Sequence, residues 1–214
     1  MHEEIDLQEV DELEEPNKPL RLIIGLFILM ILIFSFIPFY VLKLDPNPNY
    51  DNLNSVNIDG LIPDTRGYAA NMASVSEKID VGDYRIIAVK ISTESCNWES
   101  DICYAKALYY FIENEIKYVS DPETQYIQLP SETLISGGGD CEDKAILLAT
   151  LLEAIGFDAD VGLTHSHAFV RVQIPDALWR YKADGDYVYL DPSGDNVFGE
   201  FNFKNTEINS FVEL

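Results

Sequence analysis

The chain reads as an α+β domain preceded by one transmembrane helix, and three stretches of sequence predict it. Leu22 to Leu42 is apolar and uncharged, broken only by the small or polar Gly25, Ser35 and Tyr40 and by Pro38 near its far end. Ile102–Ile116 and Ala145–Ile155 carry apolar residues at helical spacing. His167–Ile174 and Tyr187–Asp191 then alternate as strands do.

An apolar run of about twenty residues is one bilayer span. It is too long for the core of a cleaved signal, and no small-x-small cleavage site follows it, so the expectation is an uncleaved signal anchor over residues 20–43, with the membrane met through Leu20 to Leu42. Lys18 and Arg21 flank its start, whereas Lys43 alone lies close to its end and the next basic residue is Arg66. That asymmetry predicts a cytoplasmic N-terminus and an extracytoplasmic domain. Residues 1–19 are rich in carboxylates and read as a solvated acidic tail. Ile5, Leu7, Val10 and Leu13 are the one apolar face it offers a partner. The Pro-, Asn- and Asp-rich stretch within 44–65 reads as a linker, and 66–214 as the folded domain.

The 214 residues are 47% hydrophobic, enough for one packed core, and the formal charge of -23 excludes nucleic acid and anionic lipid headgroups as partners. Three cysteines, Cys96, Cys103 and Cys141, cannot all pair within one chain. Outside the cytoplasm Cys96 and Cys103 are able to bridge a short loop, leaving Cys141 free; two separate thiols are the equal alternative.

Within the domain, Ala105, Leu108, Tyr109 and Ile112 share one side of the first helix. Pro130–Leu134 reads as a helical turn running into Gly137-Gly138-Gly139. Asp140 is then a good N-cap, and Cys141 takes the first position of a helix that Gly156 stops. A thiol there faces the positive end of the helix dipole and is expected to ionise more readily.

Strand parity extends the site. His167, Phe169, Arg171 and Gln173 share one face, as do Tyr187, Tyr189 and Asp191. An antiparallel pairing that matches the apolar faces sets Val170 opposite Val188, Ala168 opposite Leu190, and His167 opposite Asp191. A carboxylate so placed orients an imidazole, and the expected catalytic set is Cys141 as nucleophile, His167 as base and Asp191 as its orienter. The backbone N–H of Cys141 is the natural oxyanion donor, with Gln128 as a candidate second. His165 is a rival base. Singly, each has a bland alternative: a small buried thiol, a structural histidine, a turn former before Pro192. A metal site of Cys141, His165, His167 and Asp191 is a further alternative, disfavoured by two histidines so close on one strand.

Gly-Gly-Gly-Asp-Cys-Glu-Asp-Lys-Ala, then Glu-Ala-Ile-Gly-Phe-Asp-Ala, His-Ala-Phe-Val-Arg-Val and Tyr-Leu-Asp-Pro, over about Ala105 to Gly199, resembles the transglutaminase-like superfamily, especially its prokaryotic and archaeal members. The resemblance implies a papain-like α+β cysteine-protease fold and a Cys-His-Asp triad at Cys141, His167 and Asp191. It implies a protein or peptide substrate and a thiol enzyme that cleaves or transfers acyl groups at peptide or isopeptide bonds. Similar domains also include inactive scaffolds, so a non-catalytic binding module at the cell surface is the alternative. The family often has Trp after its motif His-Ala; Phe169 stands there instead, removing an indole donor. Asp140, Glu142 and Asp143 form a local anionic cluster, expected to oppose thiol ionisation and to favour cationic or amine-bearing substrates. With neither a calcium loop nor a nucleotide motif, no cofactor is expected.

Overall fold

The computed structural model describes residues 18–65, 67–121, 126–194, 196–201 and 208–214. It divides into two units, 1–43 and 44–214. The expected acidic tail lies almost wholly outside the described residues, as does Arg66, where the domain was expected to begin.

The first unit holds the helix α1 (Lys18–Leu44). Its mean hydropathy reaches 2.5 over Lys18–Phe36, and no part of that window is buried. At 27 residues it extends about 40 Å, long enough for a membrane span or signal anchor. Ser35 Oγ donates to Ile31 O at 2.9 Å, so this hydroxyl is satisfied within the helix.

In the second unit the order is α2 (Tyr50–Leu53), β1 (Tyr68–Ala69), α3 (Arg85–Ser95), α4 (Asp101–Glu115), β2 (Lys117–Tyr118), β3 (Ile127–Gln128), α5 (Pro130–Ser136), β4 (Gly138–Gly139), α6 (Cys141–Ala154), β5 (Ala159–Thr164), β6 (Ala168–Gln173), β7 (Lys182–Asp184), β8 (Tyr187–Leu190) and β9 (Ile208–Glu213). The helices expected from periodicity stand within a residue or two of their expected bounds. Gly156, at φ 97°, ends the α6 segment as expected.

The helix α6 is the hub. Ile146, Leu147, Leu148, Leu151 and Leu152 are all fully buried. One side meets α3, α4 and α5, the other β5 and β6. A helix apolar nearly all round is what a position between helices and a sheet requires. Each such side chain contributes about 1.5–3 kcal/mol of burial. A disulfide joins Cys96, just past α3, to Cys103 in α4.

The segment 44–65 is not a free linker. Asp45 and Asn47 both accept from the buried Lys106 Nζ, at 2.5 and 2.8 Å. Asp45 also pairs with Arg180 and accepts from Tyr181 Oη. Asn49 caps α2 through Asp51 N and Asn52 N, and its own N–H donates to Ser95 O at 2.7 Å. Leu53 is buried, and Val56, Ile58, Leu61 and Ile62 pack on the core. The polar residues that suggested a solvated linker are used as caps and ion-pair partners.

Five strands form an antiparallel sheet in the order β7-β8-β6-β5-β9. The β6–β8 register differs from the expected one: Val170 faces Leu190 and Val172 faces Val188, a slip of two residues. An even slip keeps every side chain on its face. Val161, Ala168, Val170, Val172, Val188 and Leu190 are buried, as a helix-covered face demands. The opposite face carries an aromatic cluster in which Phe169 meets Tyr189, Phe201 and Phe211. Gly162 lies directly across from Phe169, and a Cβ there would come within 2.3 Å of its ring. Phe169 therefore fills the space of the side chain its neighbour lacks.

Candidate functional site

The position of Cys141, the expected nucleophile, is built by the glycine loop. Gly137, in the left-handed region at φ 64°, terminates α5. Gly138 and Gly139 then run parallel to Lys117 and Tyr118. At Gly139 an added Cβ would meet Asp143 Cβ at 2.7 Å, because the Asp143 side chain folds back over the loop. Its carboxylate accepts from Asp140 N at 3.3 Å and Gln128 N at 2.7 Å. This capping box, with Asp140 at the N-cap and Asp143 three residues on, fixes Cys141 at the first turn of α6.

Cys141 is the one free cysteine. Cys141, Glu142, His165, His167, Ala168 and Met72 are among the residues that line a cavity of about 260 Å³. The thiol donates to Glu142 Oε2 at 3.2 Å. Burial pushes its pKa up to about 12; the Ala168 backbone works against this, and the Glu142 hydrogen bond, with the Glu142 and Asp140 charges, adds to it. The readier ionisation expected from the helix dipole is thus outweighed, and the resting thiol is neutral.

His167 Nε2 lies 3.0 Å from Asp191 Oδ2. The two meet although the strand register does not set them opposite each other: the β6–β8 ladder ends with Val170 facing Leu190, and Asp191 lies just past the end of β8. Asp191 Oδ1 accepts from Ser193 N at 3.1 Å and Ser193 Oγ at 2.6 Å. Burial raises the Asp191 pKa, but the hydrogen bonds from His167 and Ser193 and the His167 charge overcome it and leave the group below its usual value. Tyr109, fully buried in α4, places its Oη 3.0 Å from Asp191 O and 3.1 Å from Asn196 O, pinning the turn behind the carboxylate. Nε2 is thus the imidazole nitrogen that Asp191 engages.

The structure thus gathers Cys141 and His167 around one cavity and bonds His167 to Asp191. His165 lies exposed on the cavity wall. Gln128, the candidate second oxyanion donor, has its amide committed elsewhere: Nε2 donates to Gly138 O at 3.2 Å and Oε1 accepts from Ser136 Oγ at 3.3 Å. It braces the glycine loop. All three members of the expected anionic cluster, Asp140, Glu142 and Asp143, are buried, and Glu142 is the one that lines the cavity. Among the described residues, metal-type donor atoms converge at Asp140, Cys141 and Glu142, within 4.8 Å of one another, rather than at Cys141, His165, His167 and Asp191. Ser193 and Tyr109 were missed from sequence. The Asp-Pro-Ser spacing was the available signal for Ser193, since an aspartate commonly accepts from the backbone two residues on.

Residues 90–192 match the profile of the Transglutaminase-like superfamily. That span includes Cys141, His167 and Asp191. No curated protein matches the chain. Among solved structures, a candidate protease from Parabacteroides distasonis is 15% identical over 57% of this chain and 26% of that one, with a TM-score of 0.40. A candidate cysteine protease from Cytophaga hutchinsonii is 19% identical over 69% of this chain and 48% of that one, with a TM-score of 0.38. The chain spans less than half the length of either.

Proposed function

We propose that this chain is a membrane-tethered thiol enzyme that cleaves or transfers acyl groups at peptide or isopeptide amide bonds, with Cys141 as nucleophile, His167 as base and Asp191 as its orienter. The observation that carries this reading is the 3.0 Å contact between His167 Nε2 and Asp191 Oδ2 beside the cavity that Cys141 shares with His167.

The chemistry follows from the neutral thiol. As Cys141 Sγ attacks the amide carbon, His167 Nδ1 takes the thiol proton, and the S–C bond forms while the carbonyl electrons move onto oxygen. The Cys141 backbone N–H receives that oxyanion at the start of α6. Collapse of the adduct breaks the C–N bond, and the leaving amine takes the proton from imidazolium His167. A thioester remains. Water or a second amine attacks it, giving up a proton through His167, and the thiol is restored with an acid or a new amide as product. Glu142 on the cavity wall favours a cationic or amine-bearing group next to the reacting carbonyl.

Tethering through residues 20–43, with the domain outside the cytoplasm, rests on the apolar helix and the basic residues at its start. The Cys96–Cys103 disulfide suits an oxidising compartment. A non-catalytic module remains the second reading, favoured by the raised thiol pKa. Quenched-fluorescence peptides, lysine-rich and glutamate-rich but otherwise matched, separate the two. Cys141-dependent cleavage or amine incorporation that favours the lysine-rich peptide is expected. No turnover of either by wild type beyond Cys141→Ala would favour the binding module, and equal turnover would remove Glu142 as a selector.

A further inference from the structure

We infer that Ser193 is a positioning residue for the His167–Asp191 pair, its hydroxyl holding the carboxylate in the one orientation that presents Oδ2 to the imidazole. The inference rests on the catalytic reading above and deepens it.

A carboxylate on a strand end rotates freely unless both oxygens are engaged. Here Oδ1 takes two donors from one residue, Ser193 N at 3.1 Å and Ser193 Oγ at 2.6 Å, which leaves Oδ2 for His167. The backbone makes this turn cheap. Pro192 fixes its own φ and keeps Asp191 extended, so the N–H of Ser193 returns towards Asp191 Oδ1. This turn also brings Ser193 Oγ to 3.4 Å from His167 Nε2.

The hydroxyl proton goes to the short bond with Asp191, so the oxygen lone pairs face the ring nitrogen. Ser193 thereby also favours a hydrogen on Nε2, which leaves Nδ1 unprotonated and able to accept the thiol proton. The Ser193 bond draws charge from Asp191 and contributes to its low pKa. A carboxylate with one donor fewer would grip imidazolium more tightly.

A turn former alone would need only the backbone N–H, which Ser193→Ala keeps. The test compares wild type, Ser193→Ala and Ser193→Thr in the full chain, reading the pH profile of Cys141 alkylation by iodoacetamide together with the nitrogen-15 signals of the His167 ring. In Ser193→Ala, alkylation at neutral pH is expected to fall about fivefold, the size of one lost hydrogen bond. Its acid limb should move to higher pH and the His167 Nε2 signal should change, while Ser193→Thr stays within about twofold of wild type. An unchanged acid limb and ring signal in Ser193→Ala, or an equal defect in Ser193→Thr, would overturn the inference. If wild-type alkylation proves indifferent to His167, the catalytic reading fails on its own, and the ring signal still decides whether Ser193 orders the pair.

Discussion

Glu142 Oε2 accepts the thiol hydrogen of Cys141 across 3.2 Å, so the residue that follows Cys141 in sequence is also a brake on its ionisation. Burial contributes most to the raised pKa, and Glu142 adds both a hydrogen bond to the neutral form and a negative charge. Glu142→Gln removes the charge and keeps the shape. Its alkylation profile is expected to move to lower pH, with faster labelling near neutrality. Labelling unchanged or slower would mean that the contact holds the thiol in place rather than neutral.

The same turn of helix predicts an unusual dependence of stability on pH. Asp140 is raised to about 8, first by burial and then by its hydrogen bond with Glu142 and the Glu142 charge, and Asp143 to about 6, first by burial. A carboxyl with a raised folded pKa binds more protons folded than unfolded, so stability falls as pH climbs from the unfolded value of about 3.9 towards the folded one. Asp140 Oδ1 is buried without a hydrogen-bond partner, which adds to the cost of its charge. Melting temperature should therefore decline between about pH 4 and pH 8. Asp140→Asn, which keeps an N-cap residue, should flatten that decline; a profile as steep as wild type would contradict the assignment.

Lys106 makes the third prediction. It is 2% exposed and held by Asp45 and Asn47 at the start of the domain, with the rings of Tyr181 and Phe198 beside it. Removing one partner of a buried ion pair strands the other. Lys106→Ala should cost about 3–5 kcal/mol in denaturant unfolding. A chain beginning at Asp45 should fold, whereas one beginning at Gly67 should not, because it lacks Leu53 and the apolar residues up to Ile62 that pack on the core. Equal stability of the two would restore the free linker.

These contacts show what the sequence could and could not reveal. The α6 start was legible because glycine, N-cap and helix propensity all act within a few residues. Strand parity was legible too, since one buried face fixes whether Val170 and Val188 point the same way. The offset between strands was not: pairing Val172 with Val188 buries the same face as pairing Val170 with it, and the connection from Ile174 to Asp186, not the pattern, decides. Asp45 looked like linker because its partners, Lys106 and Arg180, are distant in the chain. The thiol's electrostatics were half legible. Its neighbours could be named, but its burial, the larger influence, is a property of the packed cavity.

The central claim is that His167 activates Cys141. Its most direct test is the pH-dependent alkylation of wild type, Cys141→Ala and His167→Ala by iodoacetamide, with the modified residue located by peptide mapping. Labelling is expected at Cys141, absent in Cys141→Ala, and slowed about a hundredfold near neutral pH in His167→Ala, the lower end of what a positioned base contributes. Labelling of Cys141 that is equally slow with and without His167 would contradict the account and leave the fold as a binding module.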